Sequence, residues 1–190
     1  MLNRAILEPN QIKAIFKHIE TMRNGTQIKM MFQFNYLAGM RCINFAYLQL
    51  KDILDDNNEV RDIVFLTPSK NKGTKSAKYY INDELKKYIK KYITNFDLNN
   101  RDAYLFTSQK TGKPYNRNSI SKIFTAIYKT FNIECSTHFG RRNYISTLLI
   151  KGIDITTVKT LVNHKNIQTT AIYYNENENL LKNVVNSLSI

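Results

Sequence analysis

The chain has 190 residues, 43% hydrophobic and 12% aromatic, enough to bury one good core; the length argues against two full domains, and the composition excludes a disordered tail. Its 28 Lys and Arg against 15 Asp and Glu leave a formal charge of +13, suited to a polyanion such as nucleic acid, although a Lys- and Asn-rich proteome gives the same excess. Cys42 and Cys135 lack metal-ligand spacing, and no stretch has the pattern of a secretory leader or a membrane span, so no metal is implied and a reducing cytoplasm is expected.

Pro9 suits the first turn of a helix, and Ile12, Ile15, Phe16 and Ile19 follow at helical spacing, with Gly25 as the stop. Thr26 is an N-cap candidate for a second helix with Ile28, Met31, Phe32, Tyr36 and Leu37 on its apolar face and Gly39 closing it. Arg41 stands at the junction before a third helical stretch through Phe45 and Leu48. The pattern then changes: a turn at 55–58, a strand at 62–67, a lysine-rich turn at 70–75 and a strand at 78–81 predict a small antiparallel sheet.

Helices then return. Asn82 caps one to about Ile93, the loop with Gly112 and Pro114 precedes one over 118–131, and Thr137 opens one to Ile150. Gly152 stops that helix, Asp154 caps a short one to Val162, and Asn163 can take a left-handed turn. Leu180, Leu181, Val184, Val185 and Leu188 form an apolar stripe over 177–188. The fold class expected is mainly α with a small antiparallel β-sheet. Residues 1–175 would form the domain and 176–190 a helical tail.

Cutting a phosphodiester without a metal requires a nucleophile, cationic donors for the non-bridging oxygens and an acid for the leaving oxygen. Arginine's planar fork suits two phosphoryl oxygens at once. The last third of the chain holds His138, Arg141, His164 and Tyr173 at successive separations of 3, 23 and 9 residues, two of them among only three histidines. Singly each has a dull reading, a surface arginine or a core histidine; the combination carries the signal.

These residues resemble the tyrosine recombinases, or phage-type integrases. Ala38-Gly39-Met40-Arg41 is similar to the family's T-G-L-R, and His138-Phe139-Gly140-Arg141 to its H-x-x-R. Leu161-Val162-Asn163-His164 is similar to L-G-H, with Tyr173 nine residues on. The lysine hairpin lies over the family's G-K-G-N-K-E-R-x-V-P-L, which places a catalytic lysine at Lys72, with Lys70 and Lys75 in the same turn as the alternatives for that role. The resemblance runs from about Leu7 to Tyr174 and implies the catalytic-domain fold of DNA breaking-rejoining enzymes.

It also implies roles. Arg41 and Arg141 would hold the scissile phosphate, and Lys72 would protonate the leaving 5′ oxygen. His138 would assist the proton of Tyr173, and His164 would donate to the phosphate. Tyr173 would attack and form a 3′-phosphotyrosine, with neither ATP nor cofactor; Tyr174 is its adjacent alternative. Double-stranded DNA is the implied partner. Arg117, Asn118 and Lys122 would approach the major groove, and Arg142, Lys70 and Lys75 would contact DNA. A tetramer of protomers would form on DNA, monomeric without it, with the tail docking on a neighbour or on its own core, and with DNA-bending accessory proteins.

Three departures stand out: Asn44 where the family often has Glu, Asn163 for the Gly of L-G-H, and Tyr79-Tyr80-Ile81 for V-P-L. The chain also enters the catalytic domain at once, like the short single-domain recombinases of fimbrial-invertase type, so weak, salt-sensitive DNA affinity is expected. A relaxase-like nickase lacks its H-x-H here, and the short chain argues against a type IB topoisomerase. A catalytically silent DNA-binding regulator of a mobile element is the non-enzymatic alternative.

Overall fold

The computed structural model describes residues 7–71, 76–133, 138–175 and 185–186. Helix α1 (Pro9–Glu20) starts with proline inside a reciprocal cap between Glu8 and Gln11, and α2 (Gly25–Leu37) turns back against it. Gly25 is thus the first residue of the second helix, not the stop of the first. A Cβ there would lie 2.3 Å from the carbonyl oxygen of Ile19, so the tight approach of the two helix ends requires glycine.

The single apolar face expected of α2 understates its burial, because Met30, Gln33, Phe34 and Asn35 are buried as well. The helix runs through the middle of the domain, against α1, α7 (Phe139–Ile150) and α5 (Asp83–Tyr92). Phe32 stacks on Phe124 with centroids 4.2 Å apart, which ties α2 to α6 (Arg117–Thr130).

The helical stretch expected after Arg41 through Leu48 stops short, as α3 (Cys42–Phe45), and a separate α4 (Leu50–Ile53) follows beyond it. Between them the backbone pairs with a distant segment: Leu105 N–H donates to Leu48 O (2.9 Å) and Leu50 N–H to Ala103 O (3.0 Å). Strands β1 (Ile63–Leu66) and β2 (Ala77–Tyr80) form the antiparallel hairpin, with Val64 opposite Tyr79 and Phe65 opposite Lys78. Val64, Leu66, Ala77 and Tyr79 face the core.

Asn82 and Asp154 cap α5 and α8 (Ile155–Leu161) as expected, and Asn116 caps α6 by accepting from Ser119 N–H at 2.8 Å. The main core lies among α1, α2, α5, α6 and the hairpin. A second, smaller core of Ile145, Leu149, Val158 and Val162 joins α7 to α8, and α9 (Gln168–Asn175) packs onto this end of the molecule. Helix α7 touches both cores, so it sets one relative to the other. Thr137 and the tail stripe lie outside the described residues, apart from Val185, which is exposed.

Candidate active site

Gly39 turns the chain out of α2 with φ 60°, and a Cβ at this position would come within 2.6 Å of the Tyr144 ring. The turn delivers Arg41 to the start of α3. Its guanidinium donates from Nη2 to the carbonyl of Asn163 (2.8 Å) and, at 3.5 Å, to that of Val162.

Arg141 enters from the first turn of α7 and is 4% exposed. It donates from Nη1 to the Gly39 carbonyl and from Nη2 to the same Val162 carbonyl. Two arginines separated by 100 residues in sequence therefore converge on one oxygen atom. None of the ion pairs among the described residues involves either of them. Burial, and then the charge of Arg41, lower the Arg141 pKa to about 10, so it remains a cation at neutral pH.

Asn163 adopts φ 52°, in the left-handed turn expected at this position. Next to it, the His164 ring pairs through Nδ1 with Oγ1 of the fully buried Thr170 at 2.9 Å. Burial, then Arg141 and Arg41, push the His164 pKa down to about 4, so the ring is neutral at pH 7. If Thr170 donates to Nδ1, the proton lies on Nε2 and is available to an incoming oxygen.

His138, at the N-cap position of α7, is solvent-exposed on the rim. Enough protein surrounds its ring for desolvation to lower its pKa, followed by Arg141, Arg142, Arg41 and Arg117. Arg41, His138, His164, Arg117, Lys159 and Lys165 line one cleft of about 720 Å³, with Ser121, Asn163 and Thr169 between them. A cleft of this charge attracts a polyanion.

Tyr173 lies on α9 and packs its half-buried ring against the Ile145–Val162 core, near enough for its charge state to influence Arg141. It is not among the residues that line the cleft. Arg117 reaches the cleft from the exposed start of α6; Asn118 and Lys122 are exposed on the same helix, and Arg142 is half-buried on α7. Lys70 does not offer a bare ammonium: it bonds Asp52 (2.8 and 2.7 Å) and Gln49 (2.7 Å). Lys72 and Lys75 lie outside the described residues.

Several members of the arrangement escaped the sequence reading. The carbonyls of Gly39 and Val162 carry no side-chain signature, and Thr170 stood unnoticed within the tract that contains Tyr173. Lys159 and Lys165 flank His164, and basic residues so close to a candidate site were a signal available for finding them.

Known proteins resemble this arrangement over nearly its whole length. Tyrosine recombinase XerD of Rickettsia prowazekii is 30% identical over 188 residues, an alignment that covers 93% of this chain and 60% of the relative. A probable integrase/recombinase of Acholeplasma phage L2 is 24% identical over 163 residues, covering 85% of this chain and 53% of the relative. The chain thus spans little more than half the length of these relatives. Among solved structures, XerA recombinase superposes with a TM-score of 0.76 at 20% identity, covering 98% of this chain and 66% of that one. XerH site-specific recombinase bound to its palindromic difH substrate gives 0.70 at 16% identity, covering 98% and 54%. Residues 5–179 match the phage integrase family, and with the fold and the arginine pair in place the chain belongs to that family.

Proposed function

We propose that the chain is the catalytic part of a site-specific recombinase that cuts and rejoins double-stranded DNA through a 3′-phosphotyrosine. The observation that carries this reading is the convergence of Arg41 and Arg141 on the Val162 carbonyl beside a cationic cleft. A buried and a half-buried guanidinium, neither with a carboxylate partner among the described residues, favour a phosphate diester that brings the missing negative charge.

In the proposed reaction the oxygen of Tyr173 attacks phosphorus and gives up its proton to neutral His138 or to water. The bond from phosphorus to the 5′ oxygen breaks, and that oxygen keeps the electron pair and takes a proton from the ammonium of Lys72. The DNA is left with a 3′-phosphotyrosine and a free 5′ hydroxyl, and the reverse sequence joins a new strand. Arg41, Arg141 and neutral His164 stabilise the charge that develops on the non-bridging oxygens. Arg117, Asn118, Lys122 and Arg142 would contact the flanking DNA, and Lys75 would extend the hairpin's basic surface. Lys70, engaged with Asp52, is the weakest of the proposed contacts. The 177–188 stripe would dock on a neighbouring protomer.

A nicked duplex that releases a short fragment after cleavage traps such an intermediate. With wild-type protein and a chelator present, a covalent protein–DNA adduct is expected, and Tyr173→Phe should reduce it at least about 1000-fold. An adduct that persists in Tyr173→Phe, or none with wild-type protein on its own recombination site, removes the proposal and leaves a DNA-binding regulator.

A further inference from the structure

We infer that Asn163 is a positioning residue that keeps the second stem of the β-hairpin in register with the arginine pair, and that Asn44 does the same for the first stem; the inference rests on the recombinase reading above. The main chain and side chain of Asn163 serve different partners. Its carbonyl accepts from Arg41 at 2.8 Å. Its amide forms a reciprocal pair with Lys78: Lys78 N–H donates to Oδ1 (3.1 Å), and Nδ2 donates to the Lys78 carbonyl (2.7 Å).

An antiparallel strand turns the N–H and C=O of one residue to the same side, so Lys78 uses the edge of β2 that β1 leaves open. One side chain therefore fills the edge where a further strand would lie. Glycine would adopt the 52° φ more readily than asparagine, but it would supply neither of these hydrogen bonds.

Asn44 works from the other side. It is fully buried three residues after Arg41, and its Nδ2 donates to the carbonyl of Lys70 at 3.3 Å and to Oδ1 of Asn71 at 3.4 Å. The two asparagines thus hold the chain at 70–71 and at 78, on either side of positions 72–75. A two-stranded hairpin has little stability of its own; its buried Val64, Leu66, Ala77 and Tyr79 seat it on the core, and these contacts add direction-specific ties at its two stems. The reaction makes that relation matter. As the bond from Tyr173 oxygen to phosphorus forms and the bond to the 5′ oxygen breaks, the leaving oxygen must receive its proton from the hairpin acid proposed above.

The test compares Asn163→Gly with wild type on two nicked duplexes, one with the ordinary 5′ bridging oxygen and one with sulfur at that position. A thiolate departs without a proton, so misplacement of the acid slows only the oxygen substrate. We expect Asn163→Gly to cleave the oxygen substrate at least about 10-fold more slowly and the sulfur substrate within about 2-fold of wild type. Lys72→Ala should show the same selectivity more strongly. Equal slowing of Asn163→Gly on both substrates, or no slowing on either, overturns the inference. So does Lys72→Ala slowed alike on both, because Lys72 would then not be the acid whose placement the inference explains. A wild-type protein that forms no adduct with either duplex would instead bring down the recombinase reading itself.

Discussion

Arg141 is a buried cation whose hydrogen-bond partners are two neutral carbonyl groups, those of Gly39 and Val162. Burial with no ion pair among the described residues is unfavourable, and burial is the first cause of the lowered pKa. His164 shares that environment, and its titration gives a test. Its folded pKa, near 4, lies below the unfolded value of about 6.5, so between these limits the unfolded chain binds a proton that the folded chain refuses. Stability is therefore complete above about pH 6.5 and declines as the pH falls toward 4. Thermal melts of the DNA-free protein should shift downward from pH 7 to pH 5, and His164→Gln should reduce that shift; an unchanged shift in the variant would remove His164 as its source. At this scale the side chains were legible from their chemistry and spacing. The carbonyl oxygens and Thr170 that orient them were not, because a backbone acceptor looks alike at every position.

Helix α7 connects the elements of the site: its first turn supplies Arg141, its body spans both cores, and α9 with Tyr173 packs against its side. Helix α6 brings Arg117 to the cleft, and its start depends on the Asn116 cap. Asn116→Ala should destabilise the protein by about 1 kcal/mol, or about 2–4 °C in Tm, whereas Asn116→Gly should cost only a few tenths of that energy. Equal losses in the two variants, measured by thermal melts, would show that the cap is not the cause. The caps at Asn82 and Asp154 were readable because capping is decided within four residues. The break between α3 and α4 was not, since it follows from hydrogen bonds between residues 48–50 and 103–105. Gly25 misled for a related reason: its need is the packing of Ile19 against it, not the end of a helix.

Over the whole molecule, the +13 charge gathers meaning only at the cleft, where Arg41, Arg117, Lys159 and Lys165 line one wall system around two neutral histidines. Charge alone was compatible with any polyanion or with proteome composition; the convergence of buried Arg141 and half-buried Arg41 on one carbonyl is what supports the proposed phosphate at one place. Tyr173, the proposed nucleophile, packs on the smaller core close enough to influence Arg141. The most direct measurement is the site of attachment. The covalent complex formed on a nicked duplex is digested with protease and nuclease, and the remaining nucleotide is located by tandem mass spectrometry. The account predicts a 3′-phosphate linkage on Tyr173; a linkage on Tyr174 or any other residue, or through a 5′ phosphate, would contradict it.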